Sequence, residues 1–138
     1  MKALIDTCII IDALQNRDPF ADDAKAIFRA TANNIFTGCI TAKAVTDIYY
    51  LTHRTVHSDT KARAILTKLF MLFDVVDTVG MDVRRAISSP LSDYEDAVMV
   101  ETAIREGADC IVTRNTRDYT YSPIPVYAPA DFVKSLDF

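Results

Sequence analysis

The chain has no tryptophan, and of its 138 residues only three are glycine, five proline, three cysteine and two histidine. Each shortage excludes something. Few glycines and prolines leave little room for a flexible linker, and no repeat or low-complexity stretch interrupts the sequence. The length therefore fits one domain over residues 1–138 with a sizeable core. Cys8, Cys39 and Cys110 are odd in number, widely spaced, and each lies in or beside an apolar run. They read as buried thiols of a cytoplasmic protein, not as a disulfide framework or a zinc site. His53 and His57 could ligate a metal from one helix, but no cysteine or second histidine pair joins them, so they read as surface or capping residues. Asp12 and Asp74 break the apolar runs, so no segment is expected to span a membrane. The N-terminus also lacks a charged region ahead of a long apolar stretch with a small-residue cleavage site. The formal net charge of −4 argues against a general nucleic-acid coat protein. Positive charge is instead local, in Arg54, Lys61, Arg63 and Lys68, in Arg84 with Arg85, and in Arg114 with Arg117.

What is present is an alternation of short apolar runs with amphipathic stretches. The pattern predicts strands over Lys2–Ile5, Ile35–Gly38, Asp74–Asp77, Cys110–Thr113 and Val126–Tyr127. It predicts helices over Thr7–Leu14, Pro19–Ala32, Ala42–His53, Ser58–Met71, Met81–Ile87, Asp93–Glu106 and Ala130–Leu136. Strands separated by helices call for a parallel sheet covered on both faces, an α/β fold. The mostly helical stretch 19–71 suggests a helical hairpin standing off that sheet.

Ser92-Asp93-Tyr94-Glu95-Asp96-Ala97 is the richest segment. The S-x-x-E spacing of Ser92 and Glu95 suits a capping box, with Asp93 and Glu95 in the first turn at the positive end of the helix dipole. Asp96 differs, because steps of four and three place it with Val100 and Ala103 on the apolar face. A lone carboxylate there is costly unless an ion pair, a hydrogen-bond network or a metal offsets its desolvation. Asp6 follows the apolar run Ala3-Leu4-Ile5, at the strand end where open α/β sheets bind ligands. It could equally cap the helix that begins at Thr7. Cys110-Ile111-Val112 likewise runs into Thr113, Arg114, Asn115, Arg117 and Asp118. Asp47 lies at the edge of its helix's apolar stripe, and Asp12 and Asp93 read as supporting or capping residues. Carboxylates gathered together repel, so some must protonate or share a cation. An all-oxygen set suits Mg²⁺ or Mn²⁺ and argues against zinc.

On these residues the sequence resembles the PIN-domain ribonucleases, in particular the VapC-type toxins of toxin–antitoxin pairs. The resemblance covers essentially the whole chain. It rests on Leu4-Ile5-Asp6-Thr7 with Asp12, on Thr46-Asp47-Ile48-Tyr49-Tyr50, on Asp93-Tyr94-Glu95-Asp96-Ala97, and on Val112 through Tyr119. It implies a three-layer α/β/α sandwich around a parallel sheet of about five strands, with Asp6, Asp47, Asp96 and Asp118 converging on Mg²⁺ or Mn²⁺. It implies metal-dependent hydrolysis of single-stranded RNA, homodimerisation, and inhibition by a cognate antitoxin protein. Thr7, Asp93, Thr113 and Asn115 would support the site, and Arg114 and Arg117 would contact RNA. Two positions depart from the family pattern. Cys8 stands where Asn or Ser is frequent, and Asp47 stands where Glu is usual, its shorter side chain reaching an ion through water. Two other readings use the same residues. One is a PIN-fold RNA-binding protein without catalysis. The other is a receiver-type phosphoacceptor domain, which would need a lysine after its last strand that is absent near Val126–Tyr127.

Overall fold

The computed structural model describes residues 1–136; the last two residues of the 1–138 domain reading lie outside the described part. The elements run β1 (Lys2–Ile5), α1 (Thr7–Leu14), α2 (Ala21–Ala32), β2 (Thr37–Thr41), α3 (Ala42–Val56), α4 (Asp59–Leu72), β3 (Asp74–Val76), α5 (Gly80–Ala86), α6 (Tyr94–Arg105), β4 (Cys110–Val112), a 3-10 turn (Thr116–Tyr119), β5 (Val126–Tyr127) and α7 (Pro129–Ser135). The strands form one sheet in the order β3-β2-β1-β4-β5, and every pairing is parallel. That order is not the 2-1-3-4-5 arrangement of receiver-type domains, so the receiver alternative falls. No described helix is long and apolar enough to cross a membrane.

Period-two alternation along the strands sorts the core into two layers. Ala3 and Ile5 of β1, Ile40 of β2, and Cys110 and Val112 of β4 face one way, against Ile9, Ile10 and Ile11 of α1, Ile27 of α2, Ile48 of α3, Leu69 of α4 and Phe132 of α7. Leu4, Cys39 and Ile111 face the other way, against Ala86 of α5 and Ala97, Val100 and Ala103 of α6. Helices on both faces of a parallel sheet make the α/β/α sandwich that the sequence pattern predicts. The α3–α4 pair buries few of its own residues, Ile48 and Thr52 on one helix and Ala62 and Leu69 on the other. His57 closes α3 in the left-handed conformation (φ 53°).

Strand β2 lies further along the chain than the pattern predicts, at Thr37–Thr41 instead of Ile35–Gly38. Phe36 is spent on packing edge-on against Phe132, 4.9 Å between centroids, before the strand begins. Gly38 does not end the strand. It pairs with Ala3 in mid-strand and admits the buried ring of Phe73 beside it. A Cβ there would stand 2.7 Å from Phe73 Cδ1 and 3.0 Å from the Thr31 hydroxyl oxygen. Phe73 has no room to yield, being buried against Phe28 at 5.1 Å. Gly38→Ala should therefore destabilise the protein by about 1–3 kcal/mol, read as a lowered midpoint in urea denaturation. An unchanged midpoint would mean that α4 shifts freely off the sheet.

Candidate active site

The order β3-β2-β1-β4-β5 makes β1 the strand from which the sheet is built in both directions. The crevice past its C-terminal end is the position where open α/β sheets bind ligands. Ile5 is in register with Val112, so Asp6 and Thr113 emerge there side by side. The Asp6 amide continues the ladder to the Val112 carbonyl at 3.0 Å. Asp6 does both things its position allows. One carboxylate oxygen caps α1 by accepting from the Thr7 amide at 2.8 Å. The other accepts from the Thr113 hydroxyl at 2.7 Å and, weakly, from the Cys8 thiol at 3.7 Å. Thr113 is fully buried and its oxygen also accepts from the Asn115 amide at 3.1 Å. A single hydroxyl thus orients the Asp6 carboxylate and starts the turn that carries Asp118. Burial and the Asp6 charge push the Cys8 thiol up from its ordinary pKa, so it remains a neutral donor here.

Asp96 arrives from the other face of the sheet. Helix α6 runs back from the C-terminal edge of the strands, which brings its first turn to the crevice. The cap is one residue later than the S-x-x-E spacing predicts. Asp93, not Ser92, is the N-cap, and its carboxylate accepts from the Asp96 amide at 2.9 Å. Both residue types cap well, so the tertiary placement of the loop decides between them. Asp96 is half-buried, with Val100 and Ala103 buried below it as the helical spacing predicts. Tyr119, 2% exposed, donates its hydroxyl to Asp96 at 2.9 Å. Desolvation raises the Asp96 carboxyl from 3.8 to about 6. The Tyr119 hydrogen bond opposes that rise, and repulsion from Asp93, Asp6 and Asp118 adds to it. Asp6, Asp93, Asp96 and Asp118 are therefore close enough to share one electrostatic environment. Burial and the same two carboxylates, Asp6 and Asp96, also push the Tyr119 hydroxyl up, which keeps it a hydrogen-bond donor.

The cleft at this crevice is small, about 40 Å³, and is lined by Asp6, Thr7, Thr41, Lys43, Ala44, Thr78, Glu95, Asp96, Val98 and Met99. It has room for a few waters or an ion with part of its water shell. Its carboxylates are hard oxygen donors, which suits Mg²⁺ or Mn²⁺ in kind. Among the described residues no three His, Cys, Asp or Glu side chains stand together as a closed ligand set. Asp118 is exposed on the 3-10 turn and Asp47 is exposed on α3, and neither lines the cleft.

The basic residues divide sharply. Arg114 binds the buried Asp12 through Nε at 2.6 Å and a second nitrogen at 3.3 Å, and its guanidinium lies 4.0 Å over the Phe20 ring. Its charge is paired with Asp12 of α1. That partner lies more than a hundred residues away in sequence. Arg117 is exposed. Sequence reading gave no site role to Thr41, Lys43, Thr78, Glu95 or Tyr119, although Glu95 and Tyr119 lie within its motifs. Thr41 also carried a local signal, a capping residue just before a helical run; it accepts from the Ala44 amide at 3.1 Å.

The family profile described as PIN domain matches residues 2–117, and the chain belongs to the PIN-domain family. No curated protein matches the chain in sequence. Among solved structures it is similar to DNA-bound VapBC from Salmonella typhimurium, at 17% identity and TM-score 0.69, over 94% of this chain and 98% of that one. It is similar to a toxin–antitoxin complex from Klebsiella pneumoniae, at 22% identity and TM-score 0.68, over 92% and 97% of the two chains. It is also similar to VapC20 of Mycobacterium tuberculosis, a sarcin–ricin-loop-cleaving toxin, at 15% identity and TM-score 0.59, over 79% and 86%. At these identities the likeness is one of fold.

Two measurements test this electrostatic picture. The folded protein holds the Asp96 proton more tightly than the unfolded chain. Without a cation the stability should therefore fall as pH rises from about 4 through about 6. Asp96→Asn should raise the stability in chelator at pH 7 by on the order of 1 kcal/mol after solvent screening, and should have little effect near pH 4. A mutant less stable than wild type at pH 7 would contradict a repulsive site. Arg114→Ala leaves Asp12 buried and unpaired, and should cost about 3 kcal/mol in urea denaturation. Asp12→Ala combined with Arg114→Ala should cost clearly less than the sum of the single changes. Strict additivity would mean that the pair does not clamp the Asp118 turn.

Proposed function

We propose that this PIN-domain protein is a metal-dependent endoribonuclease that hydrolyses phosphodiester bonds of single-stranded RNA, and that it acts in the cytoplasm as the toxin of a toxin–antitoxin pair. The observation that carries the reading is Asp96, a carboxylate held half-buried against repulsion from Asp6, Asp93 and Asp118 at the sheet's ligand-binding edge. A fold does not keep such a group for stability alone, and clustered strained carboxylates mark functional sites. The toxin assignment draws on the similar solved structures, which include a toxin–antitoxin complex, DNA-bound VapBC and a sarcin–ricin-loop-cleaving toxin. In this reading the whole sequence is one domain over 1–138.

Asp6, Asp96 and Asp118 would hold Mg²⁺ or Mn²⁺, with Asp47 contributing through water from α3. When bound, such an ion lowers the pKa of a coordinated water and offsets charge on a phosphoryl oxygen. The chain's own residues prepare for this. The hydroxyls of Thr113 and Tyr119 each take one lone-pair direction of Asp6 and Asp96, and so fix which oxygen edges face the cleft. Thr7 and Asp93 secure the helix starts that present those two carboxylates, and Asn115 begins the turn that presents Asp118. Arg117, exposed on that turn, would meet a phosphate in this reading. An antitoxin protein and a second copy of this chain complete the reading. For the second copy, α5 and its C-cap offer exposed apolar surface at Met81, Val83 and Ile87, with Tyr94 hydrogen-bonded to the Val83 carbonyl.

Asp96→Asn and Asp6→Asn should stay folded and lose Mn²⁺-dependent cleavage of a single-stranded RNA panel, because an amide is a poor ligand for a hard cation. Asp47→Asn should reduce cleavage more mildly. Millimolar Mn²⁺ should raise the wild-type melting temperature relative to chelator, and raise it less in Asp96→Asn. Retained cleavage in folded Asp96→Asn would exclude this site. Binding of RNA without cleavage in any divalent ion would instead favour the non-catalytic RNA-binding alternative.

A further inference from the structure

We propose that Lys43 is a phosphate-contacting residue of the cleft, and that Glu95 holds its ammonium across the cleft mouth until an RNA phosphate displaces the carboxylate. This rests on the ribonuclease reading above and extends it to a residue that the PIN pattern in the sequence did not single out.

The residues lining the cleft include three carboxylates, Asp6, Glu95 and Asp96, and one cation, Lys43. An RNA strand entering this acidic site meets repulsion that some local cation must offset. Arg117 is exposed on the turn outside the cleft lining, and Arg114 cannot be released cheaply. Arg114 is clamped in two contacts on Asp12, which is 1% exposed. Removing it from its partner strands a buried carboxylate. Lys43 is different. Its Nζ lies 3.1 Å from Glu95 Oε1, and the two side chains are 44% and 67% exposed. An exposed pair of this kind is held weakly and is screened by salt, so exchanging its partner costs little.

The placement fits the exchange. Lys43 sits in the first turn of α3 and Glu95 in the first turn of α6, so the pair links two elements that wall the cleft. Glu95 is the residue beside Asp96, and Thr7, Thr41 and Ala44 complete the same wall. A phosphodiester brought to Asp96 comes within the sweep of the lysine's flexible stem. It accepts a charge-assisted hydrogen bond from the ammonium and repels the Glu95 carboxylate. Lys43 then turns from bridging the mouth to holding the strand, and Glu95 acts as a competitor for the same cation.

The test is a fluorescence-anisotropy titration of a labelled mixed-sequence single-stranded RNA, in Mn²⁺ and at two salt concentrations, on the Asp96→Asn background that prevents cleavage. Lys43→Gln should weaken binding and flatten the slope of log affinity against log salt by about 0.7, the value for one lost phosphate contact on a single strand. Lys43→Arg should restore both affinity and slope. Glu95→Gln should tighten binding by about 1.5- to 5-fold, the range for release of an exposed ion pair. That gain should shrink in the presence of Lys43→Gln, because no cation is left to release. A gain that persists in full without Lys43 would be bulk charge and would overturn the exchange. A wild-type slope in Lys43→Gln, or losses of affinity from both Lys43→Gln and Glu95→Gln, would make the pair a strut between α3 and α6 and overturn the proposal. If the parent protein binds no RNA at all, the ribonuclease reading falls and takes this inference with it. If the parent binds and only the Lys43 effects are missing, this inference alone falls.

Discussion

The parallel pairing of β1 with β4 is the constraint on which the site depends. Register fixes Ile5 opposite Val112, and the next residue of each strand, Asp6 and Thr113, then has nowhere to go but the same crevice. The buried Thr113 hydroxyl gives its proton to Asp6 and accepts from the Asn115 amide, so strand end, helix cap and the Asp118 turn share one atom. Shifting that register by one residue would turn every side chain of β1 to the opposite layer. The two-layer core of Ala3 and Ile5 against Leu4 forbids it. The chemistry of the crevice is therefore guarded by packing on both faces of the sheet rather than by the polar contacts themselves.

Electrostatics at the crevice works against folding and is contained by geometry. Helices α1, α3 and α6 all present their N-terminal turns at this edge, with Asp6, Thr41 and Asp93 as caps. Their partial positive charges favour nearby carboxylates, typically by less than about 1 kcal/mol each at exposed positions. That is not enough to return Asp96 to an ordinary carboxylate range, since burial and its neighbours hold it at about 6. The strain is local. Away from the cleft, the buried carboxylates are fully paired, Asp12 with Arg114 and Asp82 with Arg105, Thr102 and the Val79 amide. The contrast marks the cleft as the place where partly buried carboxylates, Asp6 and Asp96, have hydrogen bonds but, among the described residues, no ion-pair partner.

The fold was legible because its signals are local and periodic. Helix α1 begins and ends where the pattern places it, and the two helices between each of the first three strand steps are all present. Asp96 could be singled out because a 3.6-residue period puts it over Val100 and Ala103, and both are buried. The failures are of three kinds. Two adjacent cap-competent residues, Ser92 and Asp93, cannot be ranked without the tertiary position of their loop. The start of β2 was misplaced because Phe36 is apolar for packing against α7 and not for the sheet, a distinction no alternation pattern carries. Contacts across great sequence separation were invisible. Arg114 finds Asp12, Tyr119 finds Asp96, and Lys43 finds Glu95, and in no case does spacing along the chain announce the partner. Asp47 is the opposite case. Its motif is readable, yet it stands exposed on α3, outside the cleft lining.

A net charge of −4 therefore says little about whether this surface can meet a polyanion. What matters is how each cation is held. Arg105 and Arg114 spend their charge on buried aspartates and act as fasteners, one securing the start of α5 to α6 and the other securing the Asp118 turn to α1. Lys43 is restrained by a single exposed carboxylate, and Arg54, Lys61 and Arg117 stand exposed. A cation paired with a buried carboxylate costs several kcal/mol to redirect, because the carboxylate is left stranded, whereas one in an exposed pair costs about 1 kcal/mol or less. The division between fixed and exchangeable charge follows burial, and burial follows from the sheet. The packing that commits Arg114 and Arg105 to structure is the same packing that leaves the lysine at the cleft's mouth available.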